Sequence, residues 1–238
     1  QMNNQSIANL RIKALRITKL ADDASAAREQ AFTSLTSLNV EMDRGWKTLQ
    51  QRLNSQGEIS RTQIKFVADS WNKVQGELKQ LADSRETVIF VSTVASKLNA
   101  TLPQVQDNAG QVVDALIAQS ATAGQIAIAQ EQLWLIERIG RNIDKMILAS
   151  GDANVAADQF KSDSNVFRDT LDSMKNGNFI LGITKVTNKE ALASIEQIQA
   201  SFDVVANDID RIYSSANDLS SARQSAENLL ADVPVLLT

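Results

Sequence analysis

The sequence predicts an all-α protein, an elongated antiparallel helical bundle with long first and last helices. Apolar residues recur at alternating spacings of three and four, the pattern of helices that pack along one face. Only two prolines and nine glycines occur among the 238 residues, so the chain has few turns and its elements are long. Aromatic residues are also sparse, at 5% of the chain. Together these features favour helices over sheets.

The first predicted helix spans about residues 4–54 and carries a heptad seam. A continuous helix of this length would measure about 75 Å at 1.5 Å per residue. The cap-prone residues within Asp22–Ala27 could instead break it, and both alternatives stay open. Only Arg28 interrupts the seam, which runs through Ile7, Leu10, Ala14, Ile17, Ala21, Ala24, Ala31, Leu35, Leu38, Met42, Gly45 and Leu49.

Two further helices are predicted in the first half, separated by a proline. A stripe from Ile64 to Leu98 predicts a helix that stops at Asn99–Pro103, because the residue before a proline disfavours the α conformation. A short helix then covers about Gln104–Gln119, and Ser120–Gly124 forms a weak junction.

The second half begins with two more predicted helices. The first spans about Gln125–Ala149. The following Ser150-Gly151-Asp152 is typical of a glycine C-cap followed by an aspartate N-cap. The next helix ends near Lys175, before the turn residues Asn176-Gly177-Asn178.

An apolar connection leads to the final helix. We expect this connection to be tucked between helices, with a partner-facing tip as the alternative. Thr187 and Glu190 match a capping box, and the stripe that follows, from Ile195 to Leu230, is broken only by Arg223. The apolar residues of the connection are Phe179, Ile180, Leu181 and Ile183.

A weak internal echo suggests two tandem helical modules. Leu10–Lys19 and Leu133–Arg141 share an Arg-Ile-x-Lys/Arg core, offset by 122 residues. Repetition of this kind is typical of duplicated helical units. We therefore predict two four-helix-bundle modules, in tandem or interleaved, one over 1–124 and a second over 125–238. The two could also form one continuous bundle.

Composition excludes several classes of function. Histidine and cysteine are absent, which removes Ser-His-Asp triads, thiolate nucleophiles and metal sites built on those ligands. The net charge is −4 without a basic block, so nucleic-acid binding lacks its electrostatic footprint. Phosphate-binding loops and Gly-x-Ser-x-Gly elbows are also missing. We expect a protein that is not an enzyme and uses no cofactor and no metal.

Cationic side chains are the polar groups best suited to a binding site. Guanidinium groups can capture small anions or carboxylates with two parallel hydrogen bonds. The alternative interpretation is a rim of salt bridges that flanks the apolar seam. The candidates lie on the first helix and at the equivalent place in the second module: Arg11, Arg16, Lys19, Arg138 and Arg141.

Five other residues receive structural roles from their positions. Arg28 and Arg223 each lie alone on a seam, where an isolated charge fixes register or subunit pairing. Trp46, Trp71 and Trp134 lie at helical spacing with apolar residues. We expect these three indole rings to belong to the core.

The chain resembles the methyl-accepting chemotaxis transducers of type IV pili. Leu10-Arg11 followed by Leu15-Arg16-Ile17-Thr18-Lys19 is similar to the motif that opens their transducer modules. The resemblance to their periplasmic region is most specific over about residues 131–192. The matching residues there are Glu137-Arg138-Ile139, Ala156-Ala157-Asp158-Gln159-Phe160, Phe167, Met174, Gly177-Asn178 and Ile183-Thr184-Lys185-Val186-Thr187-Asn188.

The resemblance implies a receptor anchored in the inner, cytoplasmic membrane, with this chain as its periplasmic sensing domain. A transmembrane helix would precede Gln1 and another would follow Thr238. The domain would form a homodimer and have the type IV pilin subunit as a direct or indirect partner. The rest of the receptor would signal through a cytoplasmic chemotaxis kinase and adaptor to control twitching motility and surface sensing. The alternatives are a sensor for a small anion or carboxylate, or a non-switching coiled-coil interaction domain.

Overall fold

The computed structural model describes residues 2–56, 61–148 and 153–236, and it confirms the all-α helical bundle. The predicted caps at Ser150–Asp152 lie outside the described residues. Within these residues the only β pairing is an isolated bridge between Asn178 and Ile183. The helices are α1 Met2–Ser25, α2 Glu29–Gln56, α3 Arg61–Asp83, α4 Arg85–Ala118, α5 Ala123–Leu148, α6 Ala153–Asn176, α7 Lys189–Ala206, α8 Ile209–Ser214 and α9 Ala216–Leu236.

The first seam is carried by two helices, α1 and α2, so the broken alternative is the correct one. Ala27 has a φ of +66° between them, a left-handed conformation that no helix interior adopts. The amide of Arg28 still donates to the carbonyl of Asp23 at 3.0 Å. The chain therefore reverses within three residues.

Pro103 does not end a helix, contrary to the sequence prediction. It lies inside α4, which runs from Arg85 to Ala118. Proline deprives the carbonyl four residues earlier of its donor, but that residue, Asn99, is exposed, so water can satisfy the carbonyl. Leu98 and Val105 on the opposite face are buried and keep the helix packed.

The actual break in this region is at Ser84, between α3 and α4. The amide of Ser84 donates to the carbonyl of Leu81 at 3.2 Å, and its hydroxyl donates to the same carbonyl at 2.6 Å. A serine hydroxyl that bonds to the preceding turn competes with the regular helical hydrogen bonds. The stripe from Ile64 to Leu98 is therefore divided between two helices.

The final stripe is also divided, and its start lies one residue later than predicted. Asn188, rather than Thr187, is the N-cap of α7. Its Oδ1 accepts from the amides of Glu190 at 2.8 Å and Ala191 at 3.0 Å, which satisfies two donors of the first turn. Turns at 207–208 and at Ser215 then separate α7, α8 and α9.

The chain forms two compact units, which we call unit 1, residues 1–90 and 218–238, and unit 2, residues 91–217. Unit 1 packs α1 on α2 and on α3. Unit 2 packs α6 on α5, α7 and α8, with Phe167 and Phe202 edge to face at 4.9 Å. The bounds predicted for the two modules, 1–124 and 125–238, differ from those of the units, because unit 1 combines both ends of the chain.

Candidate functional site

Arg138, a predicted ligand-binding residue, is engaged by Asp163 in unit 2. Its Nε and Nη2 donate to the two carboxylate oxygens of Asp163, and Gln159 donates to the same carboxylate at 2.8 Å. The guanidinium also lies 4.2 Å from the ring centre of Trp134. The hydrogen bond that Arg138 donates to Asp163 raises the pKa of Arg138, against the opposing effect of burial. Two donors of the Arg138 guanidinium are therefore already used by Asp163, and this ion pair joins α5 to α6.

The other predicted cationic residues do not converge on one site. Arg141 of α5 lies 3.8 Å from Glu137, one turn earlier, and both side chains are exposed. Arg16 and Lys19 are exposed on α1, and no acidic partner lies within 4 Å of either among the described residues. Arg11 lines a cavity.

That cavity lies in unit 1, and we call it the unit 1 cavity. Its volume is about 660 Å³, which is within the range of small-molecule sites. No acidic residue occurs among the residues that line it. They are Ile7, Leu10, Ala14, Met42, Trp46, Leu49, Leu53, Ile64, Phe66, Val67, Trp71 and Leu236, with Arg11, Thr62 and Gln63 as the polar members.

Close packing of α1 on α2 borders this cavity. A Cβ atom at Gly45 would lie 2.9 Å from Cδ2 of Leu10, so a larger residue there would require the Leu10 side chain to move. Leu10 and Trp46 pack against the buried side chains of Leu49 and Ile64. Sequence periodicity placed Leu10 and Gly45 on a seam but could not show that a cavity opens beside them. The chemistry of its walls suits an apolar molecule with an anionic group.

Arg223 connects the first helix to the last within unit 1. Its Nη1 lies 3.1 Å from Oδ1 of Asp22 and 3.3 Å from the hydroxyl of Ser25, both on α1. Its Nε lies 3.5 Å from Glu227, one turn further along α9. Arg28, by contrast, is exposed and pairs with Asp23 at 2.9 Å across the α1–α2 break.

A carboxyl pair that sequence reasoning missed lies between α3 and α9. Glu77 is buried, and its Oε2 has no hydrogen-bond donor among the described residues. Burial, with the neighbouring Asp232 carboxylate, raises the pKa of Glu77 to about 8. The pKa of Asp232 is lowered by its hydrogen bond with Glu77 and by Lys73, whose Nζ lies at 3.2 Å. The sequence offered one signal for this pair: Glu77 lies three residues after Val74, on the apolar stripe of α3, where a carboxylate would be buried.

The apolar connection between α6 and α7 is exposed rather than tucked between helices. Phe179 is 100% and Ile180 93% accessible to solvent, and Leu181 is also exposed. We call these three residues the apolar tip. A tip of this kind was the less favoured interpretation of the sequence.

The comparison with known proteins decides the family. No protein-family model matches the chain. The protein PilJ of Pseudomonas aeruginosa is 32% identical over 233 residues, which cover 96% of this chain and 34% of PilJ. The chain is a PilJ-like segment. AlkN of Alcanivorax borkumensis, whose name describes it provisionally as a methyl-accepting chemotaxis protein, is 29% identical over 230 residues, 96% of the chain and 34% of AlkN.

The PilJ-like segment spans about a third of the length of these two relatives. The family resemblance inferred from the motifs is confirmed. None of the helices within 2–56, 61–148 and 153–236 is both long and apolar enough to cross a bilayer. In the same part of the chain, no three acidic residues are grouped as a metal site would require.

One core assignment in the PilJ-like segment was wrong. Trp134 is 49% exposed because its ring lies against the Arg138 guanidinium at the edge of the α5–α6 interface. Trp71 is buried, as predicted, and Nε1 of its ring donates to Asp43 at 3.2 Å. Trp46 is partly buried against Leu49 and Ile64.

Proposed function

We propose that this chain is the periplasmic sensing region of a membrane-anchored methyl-accepting chemoreceptor that controls twitching motility and surface sensing. The observation that carries the proposal is the 32% identity to PilJ across 96% of the chain. In this proposal the region acts by binding and not by catalysis, forms a homodimer and has the type IV pilin subunit as its partner. The remainder of the receptor signals to a cytoplasmic histidine kinase and its adaptor.

The contact between the first helix, α1, and the last helix, α9, supports a role of these two helices in transmitting a signal. Arg223 of α9 bonds to Asp22 and Ser25 of α1, and most of these side chains can reach water. Two packed helices with alternative registers form an element that a bound partner can bias. Polar contacts near the surface can exchange between registers at low cost, because each contributes less than about 1 kcal/mol.

A chimera tests the proposed function. This chain would replace the matching third of PilJ in a Pseudomonas aeruginosa strain that lacks its own copy. We expect the chimera to restore twitching zones to at least half of the wild-type diameter. A chimera that reaches wild-type abundance in the membrane but restores no twitching would contradict the proposal.

The absence of cysteine gives a direct test of the periplasmic location. Val155 is exposed on α6, so Val155→Cys introduces a single accessible thiol into a chain that has none. A membrane-impermeant maleimide should label this thiol in cells whose inner membrane is intact. Labelling only after the inner membrane is opened would contradict periplasmic placement.

The unit 1 cavity favours a second candidate, a sensor for an amphipathic carboxylate. Its walls are apolar, and the cation Arg11 is among its lining residues. A carboxylate with an apolar chain at 100 times its dissociation constant should add about 2.7 kcal/mol to the unfolding free energy. Thermal shifts with medium-chain fatty acids and with the corresponding alcohols would measure this. Arg11→Gln should remove the preference for the acid, and equal shifts for acid and alcohol would contradict it.

A further inference from the structure

The apolar tip is held in solvent by a hydrogen-bonded loop. The amide of Asn178 donates to the carbonyl of Ile183 at 2.8 Å, and the amide of Ile183 donates back at 2.9 Å. The side chain of Asn178 accepts from the amide of Leu181 at 3.0 Å. Gly177 and Gly182 have φ values of +82° and +67°, which other residues adopt only with strain. The loop therefore has a defined conformation.

The base of this loop is tied to the core of unit 2. Val186 is buried, and its amide donates to the carbonyl of Met174, at the end of α6, at 2.8 Å. Asn188 donates to the carbonyl of Ala115, near the end of α4, at 3.3 Å. Tying the loop to two helices limits the movement of the tip, so its exposure does not result from a loose segment.

The tip lies at one end of unit 2, away from the points where the chain enters and leaves that unit. The chain enters at Val91 and leaves at Asn217. From Val91, α4 runs along the unit to Ala118, beside the base of the loop, and α7 and α8 lead from Lys189 back towards Asn217. Within unit 2, a surface at this end is separated along the helices from the points where the chain enters and leaves.

The energetics of the tip favour a bound partner. Apolar area removed from water contributes about 25 cal/mol per Å², and a large aromatic ring is a frequent anchor of protein interfaces. A loop already fixed by hydrogen bonds loses little conformational entropy on binding. Val155, by contrast, is a single exposed apolar residue on α6, and isolated residues of this kind are normal for soluble proteins.

The charges beside the tip indicate what surrounds the receiving site. Lys185 and Lys189 are exposed, and the backbone and Cβ of Lys185 lie close to Gly177. Lys175 is already paired with Glu196 at 3.4 Å. One exposed ammonium group on the loop and a second at the start of α7 favour carboxylates at the rim of the partner's surface.

Two grooves of unit 2 do not suit the tip of a second copy of the chain. They are lined mainly by polar side chains, including Arg168, Asp169 and Asp172 in one and Gln111, Asp114 and Glu190 in the other, and an aromatic ring gains little from such walls. The unit 1 cavity is apolar, but the residues that line it include Arg11 and no acidic residue, so it does not complement the two lysines. A different protein, with carboxylates beside its cleft, is the occupant that fits the tip.

We propose that Phe179 and Ile180 insert into an apolar cleft, rimmed by carboxylates, on an extracytoplasmic protein partner of this receptor. The proposal rests on the sensing role proposed above and names the surface that carries it. It makes the apolar tip an interaction site, with Phe179 as its central anchor and Lys185 and Lys189 as its charged flank.

Site-specific cross-linking in living cells tests the proposal. Benzoylphenylalanine would be placed at position 179 or, as the control, at position 155 of the receptor expressed from its own gene. We expect a cross-linked protein at position 179, identified by mass spectrometry, and none at position 155. Cross-links only to lipid, only to a second copy of the receptor, or to no protein at all would overturn the proposal.

The identity of the captured protein separates this proposal from the function proposed above. Capture of pilin supports both. If another protein is captured and the affinity measurement confirms its binding, the apolar tip is an interaction site. Pilin is then not the direct partner of this surface. If the PilJ chimera restores twitching but no protein is cross-linked at position 179, the proposed function is supported and the apolar tip is not an interaction site.

Affinity measurements with the purified captured protein complete the test. Phe179→Ser/Ile180→Ser should weaken binding at least tenfold, while Val155→Ser stays within twofold of wild type. Lys185→Glu/Lys189→Glu should weaken binding more at low salt than at high salt. The melting temperature of the Ser variant should match wild type, since the replaced side chains lie in solvent. Equal affinity of the Ser variant and wild type would overturn the proposal.

Discussion

The Arg138 guanidinium forms a two-pronged ion pair with the Asp163 carboxylate across the α5–α6 interface. The two partners differ in exposure, because the Asp163 side chain is 3% and the Arg138 side chain 29% accessible. A buried carboxylate without a partner is costly, whereas a partly exposed guanidinium can be hydrated. The stability of this interface should therefore depend more on Arg138 than on Asp163.

Removing Arg138 should destabilise unit 2 strongly. In Arg138→Met the carboxylate of Asp163 keeps only the hydrogen bond from Gln159, and we expect a loss of about 3–5 kcal/mol. Asp163→Asn should lower the unfolding free energy less, by about 1–2 kcal/mol, because asparagine has the shape of aspartate and its Oδ1 can still accept a hydrogen bond. Urea unfolding followed by circular dichroism measures both values.

Arg141→Met is the matched control for this prediction. Arg141 lies on the same helix, and its exposed pair with Glu137 at 3.8 Å should be worth no more than about 0.5 kcal/mol. Arg138→Met and Arg141→Met variants of equal stability would show that the buried pair contributes nothing specific.

Glu77 should make the stability of unit 1 depend on pH. Its pKa is raised from 4.5 to about 8 in the folded chain, so the native state holds a proton that the unfolded state has released. The unfolding free energy should then fall as the pH rises from about 5 to 8. The lowered pKa of Asp232 acts in the opposite sense, but only below its ordinary value of 3.8, outside this interval.

Glu77→Gln should remove most of this dependence. A glutamine amide can donate to Asp232 at every pH, so thermal unfolding between pH 5 and 8 should show a flatter slope than wild type. The control is Asp69→Asn, on the exposed side of the same helix, which should keep the wild-type slope. If Glu77→Gln and wild type show the same slope, Glu77 is ionised in the fold at neutral pH.

The apolar stripes predicted most of the helices, since period is read directly from residue type, but they did not locate the breaks. Pro103 was predicted to end a helix but lies inside α4. The hydrogen bond that it cannot donate is missing on the solvent side, while buried Leu98 and Val105 hold α4 together. The break at Ala27 lies in the cap-prone stretch Asp22–Ala27, for which both alternatives stayed open, and the break at Ser84 uses the hydroxyl of that serine. Residue type allowed these breaks, but the stripes alone could not decide between a continuous and a broken helix.

For the candidate site, too, the sequence predicted individual residues but not their partners. Arg138 was predicted as a ligand-binding residue, whereas in the structure its partner is Asp163, which lies 25 positions away on another helix. Glu77 and Asp232 are separated by most of the chain, and a helical period relates neither to the other. Pairings between helices depend on the bundle's arrangement, which a single sequence does not reveal.

Replacing Ala27 with glycine should stabilise unit 1. Ala27 has a φ of +66°, and a left-handed conformation costs a residue other than glycine about 1–2 kcal/mol. Ala27→Gly should therefore raise the unfolding free energy by about 1 kcal/mol, after the cost of a more flexible unfolded chain. Chemical denaturation is the measurement.

The neighbouring Ala26→Gly separates conformational relief from a general effect of glycine. The amide of Ala26 donates to the carbonyl of Asp22 at 3.0 Å, as in a helix, so glycine should cost about 0.5–1 kcal/mol there. Opposite signs for the two variants are expected. Destabilisation by both would mean that the left-handed conformation at Ala27 is not maintained in solution.

The Arg223–Asp22 bond should matter more for signalling than for stability. The Asp22 side chain is 72% and the Arg223 side chain 36% exposed, so a double-mutant cycle with Arg223→Gln and Asp22→Asn should give a coupling below about 1 kcal/mol. In the proposed receptor the same bond ties α1 to α9, the two helices whose relative position would carry the signal. Either substitution should change twitching-zone diameter at least twofold.

Non-additivity is the decisive feature of this prediction. Because Arg223→Gln and Asp22→Asn remove one and the same bond, the double variant should signal like either single variant. Glu227→Gln removes only the contact within α9, at 3.5 Å from Arg223, and should leave twitching unchanged. If the two effects add, or if Glu227→Gln has an equal effect, surface charge rather than the bond between α1 and α9 controls the output.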